Sequence, residues 1–186
     1  MRVAVYSGSF NPLHIGHEAI LRFLTRDAGF DAVYLVVTPQ NPFKASAHTN
    51  PTGRARYEAA VAAVARHPDL RVKVSDIELE MEPPQYTIRT LDTLKALEPE
   101  NEFTLVIGAD NLACFGGWRY HERILLEYGV VVFPRKGYHR GHDKARLLRE
   151  DPRYRIRLLK APLVTISSTE IREGLAAGRD MSKWLM

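Results

Sequence analysis

Cysteine is nearly absent from this sequence, since Cys114 is the single thiol among 186 residues. One cysteine cannot form an internal disulfide, and its rarity is compatible with a reducing compartment. Long hydrophobic runs are missing as well, because none approaches the ~18 residues that a membrane helix needs. The apolar stretch at the amino terminus is too short for a secretory signal peptide, and polar residues follow it. These absences predict a cytoplasmic protein with no membrane partner.

Excess charge of one sign is also small. The 26 Lys and Arg residues against 22 Asp and Glu residues leave a net charge of +4. That excess is too mild to require nucleic acid as a partner, but it suits small anionic ligands. A chain of this length can bury a sizeable core without staples, so we expect a single domain over residues 1–186. Oligomeric state has no signature in the sequence.

Apolar runs alternate with helix-like segments along the whole chain. The predicted strands cover residues 3–6, 33–37, 70–74, 103–108, 130–133 and 155–159. The predicted helices cover residues 19–23, 52–66, 87–97, 120–128 and 169–178, and the basic stretch 136–143 is expected to be a surface loop. This order predicts an α/β fold with a Rossmann-like, doubly wound parallel sheet. Ligands of such sheets bind at the carboxyl ends of the strands, so the loops after strands one, two, four and five matter most.

A turn rich in small residues follows the first predicted strand, and it reads Gly-Ser-Phe-Asn-Pro-Leu-His-Ile-Gly-His from Gly8 to His17. Gly8 allows the backbone to approach a ligand closely, and free amides at a helix start favour an anion. His14 and His17 are three residues apart, which places both rings on one helix face. Gly16, between them, removes a side chain where a ligand could lie close.

Other kinds of site fit this turn less well than a nucleotide site does. No Gly-Lys-Ser/Thr follows, which excludes a Walker A loop, and the three-glycine spacing of a dinucleotide fingerprint is missing. Two histidines could bind zinc, but no third ligand stands nearby. A plain Gly/Pro turn with two solvated histidines is the remaining interpretation.

The string resembles the signature of the nucleotidyltransferase superfamily that carries the His-x-Gly-His motif. The subfamily that it most resembles is bacterial nicotinate-nucleotide adenylyltransferase, an enzyme of NAD synthesis. A second string, from Ile166 to Arg172, matches the family's Ile-Ser-Ser-Thr-x-Ile-Arg, which there holds the ATP phosphates. On the residues alone, Ser167 and Glu170 form a capping-box pattern at a helix start, and the string could equally be a capped helix with no ligand.

Further candidate residues follow the later strands. Lys44 lies where a cation could reach a phosphate, although the family often has a histidine where this chain has Phe43, and Lys44 could equally be an ordinary surface lysine. Asp110 could orient a ribose or a metal-bound water, or it could be a helix N-cap. Trp118 could stack on a planar ring or belong to the core.

The resemblance implies three sets of site residues. The catalytic set is His14, His17, Lys44 and Arg172. The ATP-binding set is Gly8, Ser9, Phe10, Gly108, Asp110, Ile166, Ser167 and Ser168. The mononucleotide-binding set is Asn11, Tyr86, Thr87, Trp118 and Arg135. The backbone at Tyr86-Thr87 is expected to take the nicotinate carboxylate. Mg²⁺ is expected to arrive with ATP, with no metal held by the protein itself.

The implied reaction transfers AMP from ATP to nicotinate mononucleotide. Phosphopantetheine adenylyltransferase is a rival, but it ordinarily reads Gly-Thr-Phe-Asp-Pro, against which Ser9 and Asn11 argue. A preference for nicotinamide mononucleotide is a second rival, and a catalytically silent nucleotide-binding module is a third. The family usually continues past the second string into a further short helix. The sequence ends at Trp184-Leu185-Met186, so we expect that element to be shortened or absent.

Overall fold

The centre of the fold is one six-stranded sheet, and all of its strands run parallel. A computed structural model of the chain describes residues 1–39 and 51–186. The strands are β1 (Arg2–Gly8), β2 (Ala32–Val37), β3 (Val72–Ser75), β4 (Glu102–Gly108), β5 (Val130–Phe133) and β6 (Ile156–Leu158). They lie in the order β3-β2-β1-β4-β5-β6, and each neighbouring pair is parallel. The predicted doubly wound sheet is confirmed, with its switch point between β1 and β4.

Helices connect the strands and close the fold. They are α1 (Ile15–Arg26), α2 (Gly53–Ala65), α3 (Thr87–Leu97), α4 (Ala109–Ala113), α5 (His121–Arg123), α6 (Arg140–Glu150) and α7 (Ser168–Ala176). Short 3₁₀ turns at Phe115–Gly117 and Ser182–Trp184 and a π-helical turn at Ile124–Tyr128 complete the described elements. No helix in the described ranges is both long enough and apolar enough to span a membrane.

Each face of the sheet has its own apolar core, because successive strand side chains point to opposite faces. In β1, Val3 and Val5 join the core beneath α3, whereas Ala4 and Tyr6 join the core beneath α1. After β6 the chain returns to the α1 face, where Val164 packs against that core. This return brings α7 to the same end of the sheet as the start of α1.

Two sequence predictions are wrong in detail. The stretch 136–143 is a loop only as far as His139, because α6 begins at Arg140. Its buried residue, Leu147, lies beyond the basic stretch, so the polar composition of that stretch concealed a helix. The first helix begins at Ile15, four residues before the predicted start at residue 19, because His14 caps it.

The remaining boundaries agree with the sequence to within a few residues. Helix α3 and strand β5 have the predicted limits. Gly178, predicted to end the last helix, has a φ of 75° just beyond α7. A short 3₁₀ turn, Ser182–Trp184, follows α7, and its identity with the further helix of the family stays a prediction. Leu185 beyond it forms a backbone bridge with His14.

Candidate active site

The two histidines of the first string form a stacked pair at the start of α1. His14 is the N-cap residue, and its Nδ1 accepts a hydrogen bond from the Gly16 amide at 3.1 Å. Nδ1 of His17 in turn accepts from the His14 amide at 3.1 Å. The ring centroids lie 3.7 Å apart. Because Nδ1 is an acceptor in both rings, the neutral form of each carries its proton on Nε2.

Burial keeps this pair uncharged. Desolvation lowers the pKa of His14 to about 4, and the nearby Arg135 cation adds to the effect. Desolvation, followed by His14 and Arg135, holds the pKa of His17 well below its ordinary value. Both rings are therefore neutral at pH 7, and each offers a single Nε2–H donor rather than a positive charge.

The turn between β1 and α1 depends on tight local packing. Phe10 has a φ of 48°, which is unusual for a residue with a side chain. Its buried ring meets Tyr6 and His17 edge-on at centroid distances of 5.4 and 5.2 Å. A Cβ at Gly8 would lie 3.0 Å from the Phe10 ring, so the small residue at that position permits this packing.

The role expected for Gly16 is wrong. A Cβ there would meet Val164 at 2.2 Å and the His14 ring at 2.9 Å. The space beside Gly16 is thus occupied by protein, from the segment that leads to α7, and not left open for a ligand.

The second string lies directly against the first. Ser167 caps α7 by accepting from the Glu170 amide at 3.1 Å, and Glu170 accepts from the Ser167 amide at 2.7 Å, which is the predicted capping box. Ser168 Oγ donates to the Pro12 carbonyl at 3.0 Å. Arg172 Nη1 donates to the Asn11 carbonyl at 2.7 Å. Two helix starts, each favourable to an anion, therefore meet at one place.

Arg135 and Asp110 lie beside this junction. Arg135 Nε is 3.6 Å from Asp110 Oδ1, and neither atom has a hydrogen-bond partner in the described part of the chain. Gly108 is the N-cap of α4, so the N-cap interpretation of Asp110 is wrong. Asp110 instead lies in the first turn of α4, where its carboxylate faces the Arg135 side chain.

A cavity of about 180 Å³ opens where these elements meet. Its walls come from the first turn, the ends of β4 and β5, and the start of α7. The lining residues are Tyr6, Ser7, Gly8, Ser9, Phe10, His17, Val106, Ile107, Gly108, Asn111, Phe133, Arg135 and Ser168. Several of the predicted ATP residues thus share one cavity with His17 and Arg135.

A second cavity, of about 460 Å³, lies at the start of α3. It is lined by Gln85, Tyr86, Thr87, Gly117, Trp118 and Arg119. Tyr86 is the N-cap residue of α3 and makes no side-chain cap bond. The half-buried Trp118 packs on Phe115 at a centroid distance of 4.8 Å, so it both contacts the core and lines the cavity.

Not every predicted site residue lies in these cavities. Lys44 is outside the described residues. Ile166 is half-buried immediately before the cap of α7 and lines neither cavity. Within residues 1–39 and 51–186, no group of three or more His, Cys, Asp or Glu side chains could hold a metal ion.

Arg56, which is 3% exposed, is a buried residue beside the site that the sequence motifs did not indicate. Its Nη1 donates to the Ser9 carbonyl at 2.8 Å and to the Thr38 carbonyl at 2.9 Å. The sequence does carry a signal for it, because Arg56 lies on the same helical stripe as Ala60 and Ala63. An arginine on the buried stripe of a helix calls for a buried partner.

Comparison with known proteins identifies the class. The model of the cytidylyltransferase-like family matches residues 5–174, and the chain belongs to this family. It is 41% identical over 184 residues to a protein of Bacteroides fragilis named "Probable nicotinate-nucleotide adenylyltransferase", covering 99% of this chain and 87% of that one. A Porphyromonas gingivalis protein of the same name is 37% identical over 185 residues, covering 100% and 89%. The predicted resemblance is confirmed.

Solved structures share the fold. The nicotinic acid mononucleotide adenylyltransferase of Plasmodium falciparum, complexed with NaAD, matches with a TM-score of 0.78 and 19% identity, covering 99% of this chain and 90% of that one. The same enzyme complexed with APC matches with a TM-score of 0.74 and 20% identity, with the same coverage. The sheet and its flanking helices thus have the same fold as these structures.

Proposed function

We propose that this chain transfers AMP from ATP to nicotinate mononucleotide, forming deamido-NAD and pyrophosphate in NAD biosynthesis. The observation that carries the proposal is the junction of the two strings. Arg172 and Ser168 bond to the carbonyls of Asn11 and Pro12, which places the starts of α1 and α7 around one cavity beside His17. Relatives of 41% and 37% identity carry the name of this activity.

The reaction forms one bond and breaks one bond at the α-phosphorus of ATP. A 5′-phosphate oxygen of the mononucleotide attacks that phosphorus, and the bond to the bridging oxygen of the β-phosphate breaks. A phosphate monoester has a second pKa of ~6, so the nucleophile is already charged at neutral pH. No general base and no covalent intermediate are needed, and catalysis rests on positioning and on stabilising charge.

The neutral histidines fit this demand. Each offers an Nε2–H donor, whose hydrogen bond to a phosphate oxygen would strengthen as negative charge develops there. His17 lines the cavity, while His14 is stacked behind it and caps α1. The amides at the starts of α1 and α7, together with Arg172, would hold the remaining phosphates. Lys44 keeps the phosphate-binding role implied by the family.

Mg²⁺ is proposed to enter as part of the substrate, bound to ATP. The residues present fit this arrangement, because the Asp110 carboxylate beside the cavity could accept a hydrogen bond from a water of the hydrated ion. Mg²⁺ commonly keeps several waters and phosphate ligands. When bound, it offsets charge on the triphosphate.

The acceptor is proposed to lie in the second cavity. Trp118 would stack on the pyridine ring, and the amides at the start of α3 would receive the nicotinate carboxylate. Arg135 would contact the 5′-phosphate from the cavity that contains His17. The same proposal treats residues 1–186 as one catalytic domain and places it in the cytoplasm, in keeping with its single free cysteine.

Pyrophosphate release tests the proposal directly. The purified protein is given ATP and Mg²⁺ with nicotinate mononucleotide, nicotinamide mononucleotide or phosphopantetheine in separate reactions. We expect the highest kcat/KM with nicotinate mononucleotide. A higher value with either rival acceptor would reassign the substrate, and no release with any acceptor would indicate a nucleotide-binding module without catalysis.

A further inference from the structure

A buried arginine on α2 joins two segments at the edge of the cavity. Arg56 is 3% exposed, and its Nη1 bridges the Ser9 carbonyl at 2.8 Å and the Thr38 carbonyl at 2.9 Å. Ser9 belongs to the turn after β1, and Thr38 directly follows β2. The guanidinium therefore fixes the chain where it leaves two neighbouring strands.

The bond to Ser9 sets the direction of the next amide. The peptide between Ser9 and Phe10 is trans, so its C=O and N–H groups point in opposite directions. With the carbonyl held towards Arg56 on α2, the Phe10 N–H points away from that helix. Ser9 and Phe10 both line the cavity that also contains His17. The positive φ of Phe10, 48°, is a conformation that persists only when its surroundings hold it.

Two further features set Arg56 apart from an ordinary surface arginine. Its Nη2 is buried and has no hydrogen-bond partner in the part of the chain that the structure describes. Burial also lowers the pKa of its guanidinium. Keeping such a group inside the protein is unfavourable for folding alone, so a function at this position accounts for it better.

We propose that Arg56 is a positioning residue for the turn between β1 and α1, holding the Ser9 and Thr38 carbonyls so that the Phe10 amide is directed at the substrate phosphates. The inference rests on the proposed adenylyl transfer. Arg56 acts through the turn and is not itself a catalytic residue.

The chain contains a matched control at the other end of the sheet. Arg71 Nη2 also bridges two carbonyls, those of Thr25 at 2.5 Å and Phe30 at 3.2 Å. These acceptors lie at the end of α1 and before β2, at the opposite end of the strands from the turn that follows β1. Removing Arg71 should affect folding stability without changing the direction of the Phe10 amide.

The experiment compares Arg56→Met and Arg56→Lys with Arg71→Met. Thermal unfolding is measured for each variant, and kcat and KM for ATP and for the acceptor are measured well below the unfolding temperature. We expect kcat of Arg56→Met to fall on the order of 10²-fold, as small misplacements of reacting groups do. Arg56→Lys, which keeps one donor, should lie between this variant and the wild type. Arg71→Met should keep kcat within about twofold even where its Tm falls.

Chemical rescue adds a readout that a purely structural arginine would not move. Guanidinium at concentrations too low to denature should restore part of kcat in Arg56→Ala and leave Arg71→Ala unchanged. If Arg56→Met fails to fold, Arg56→Lys decides by the same measurements. A folded Arg56 variant with kcat within twofold of the wild type, or equal losses in the Arg56 and Arg71 variants, would overturn the proposal.

The failure of the proposed function would be recognised separately. A wild-type protein inactive with every acceptor contradicts adenylyl transfer, whatever the variants do. In that case the affinity for a non-hydrolysable ATP analogue with Mg²⁺ still tests Arg56. We expect Kd to rise about tenfold in Arg56→Met and to stay unchanged in Arg71→Met, and an unchanged Kd in both would reject the role.

Discussion

The two ends of the parallel strands differ in how their buried polar groups are hydrogen-bonded. At the amino-terminal ends, Asn101 is 4% exposed. Its Nδ2 donates to Glu98 at 2.8 Å, and its Oδ1 accepts from the amino group of Met1 at 3.1 Å. The Tyr34 hydroxyl donates to the same Glu98 carboxylate at 2.8 Å. These polar groups form hydrogen bonds with one another, as the buried polar groups of stable proteins usually do.

At the carboxyl-terminal ends of the strands, several polar side-chain atoms lack hydrogen-bond partners. Among the described residues, the buried side-chain atoms without a hydrogen bond are Ser7 Oγ, Arg56 Nη2, Asp110 Oδ1 and Arg135 Nε. All of them lie at or beside the cavity next to His17. The difference shows where internal hydrogen bonds are missing. In the proposed reaction, phosphate oxygens would accept from Arg135 Nε and Ser7 Oγ, and a ribose hydroxyl would donate to Asp110 Oδ1.

Removal of the His17 imidazole, at the carboxyl-terminal ends of the strands, is expected to have the largest effect on catalysis. We expect kcat of His17→Ala to fall on the order of 10²–10³-fold, the usual effect of removing one donor to a developing oxyanion. Steady-state pyrophosphate release gives kcat, and thermal unfolding shows whether the variant remains folded.

His17→Gln separates catalysis from capping in this experiment. A glutamine at the third helical position can still accept from the His14 amide, as in an ordinary capping box. We expect His17→Gln to keep more of the wild-type Tm than His17→Ala. It should also lose less kcat, because its side-chain N–H can still donate, though from a displaced position. Near-normal turnover in His17→Ala would contradict the assignment of His17 to the reacting phosphates.

Two substitutions, one at each end of the strands, compare the contributions of buried polar groups to folding stability. Asn101→Ala should lower the free energy of unfolding by about 1–3 kcal/mol, because it leaves buried partners unsatisfied. Ser7→Ala removes a buried hydroxyl that has no partner, so it should raise that free energy by up to about 1 kcal/mol. Urea unfolding of both variants gives the two values. Equal destabilisation by the two substitutions would mean that buried polar groups contribute equally to stability at both ends of the strands.

The smallest expected effect concerns the second cavity. Trp118→Ala should raise KM for nicotinate mononucleotide on the order of tenfold, because a stacked aromatic pair contributes about 0.5–1.5 kcal/mol beyond buried area. Its kcat should change little, since Trp118 lines the second cavity and not the one that contains His17. Trp118→Phe, which retains a stacking surface, is the control and should lie closer to wild type. An unchanged KM in Trp118→Ala would leave this tryptophan to the core.

Most of the sheet follows from local sequence. The continuous apolar run before Thr38 predicted a strand covered on both faces, and the structure buries Val33 and Val37 completely. Helix α6 escaped prediction because its first turn is polar and basic, and its apolar contacts with the core come from two adjacent residues, Leu147 and the partly buried Leu148. Two adjacent leucines give too weak a periodicity to predict a helix.

The candidate site divides in the same way. Its two signature strings can be found by inspection, because turn residues, caps and histidine spacing are local properties of the chain. That Arg172 reaches the Asn11 carbonyl is a contact between positions 161 residues apart in the sequence, and no local pattern encodes it. The pairing of Arg135 with Asp110 likewise depends on β4 and β5 being neighbours.

The sequence by itself determined the parallel α/β class, the turn after the first strand and the helix start at Ser167, since each depends on residues close together in the chain. Only the tertiary structure decided that Val164 fills the space beside Gly16, that the two histidines are buried and neutral, and that Arg56 holds the turn. The reason is physical: burial and long-range hydrogen bonds arise only when distant segments pack, and they set the charge and direction of the groups that meet a ligand.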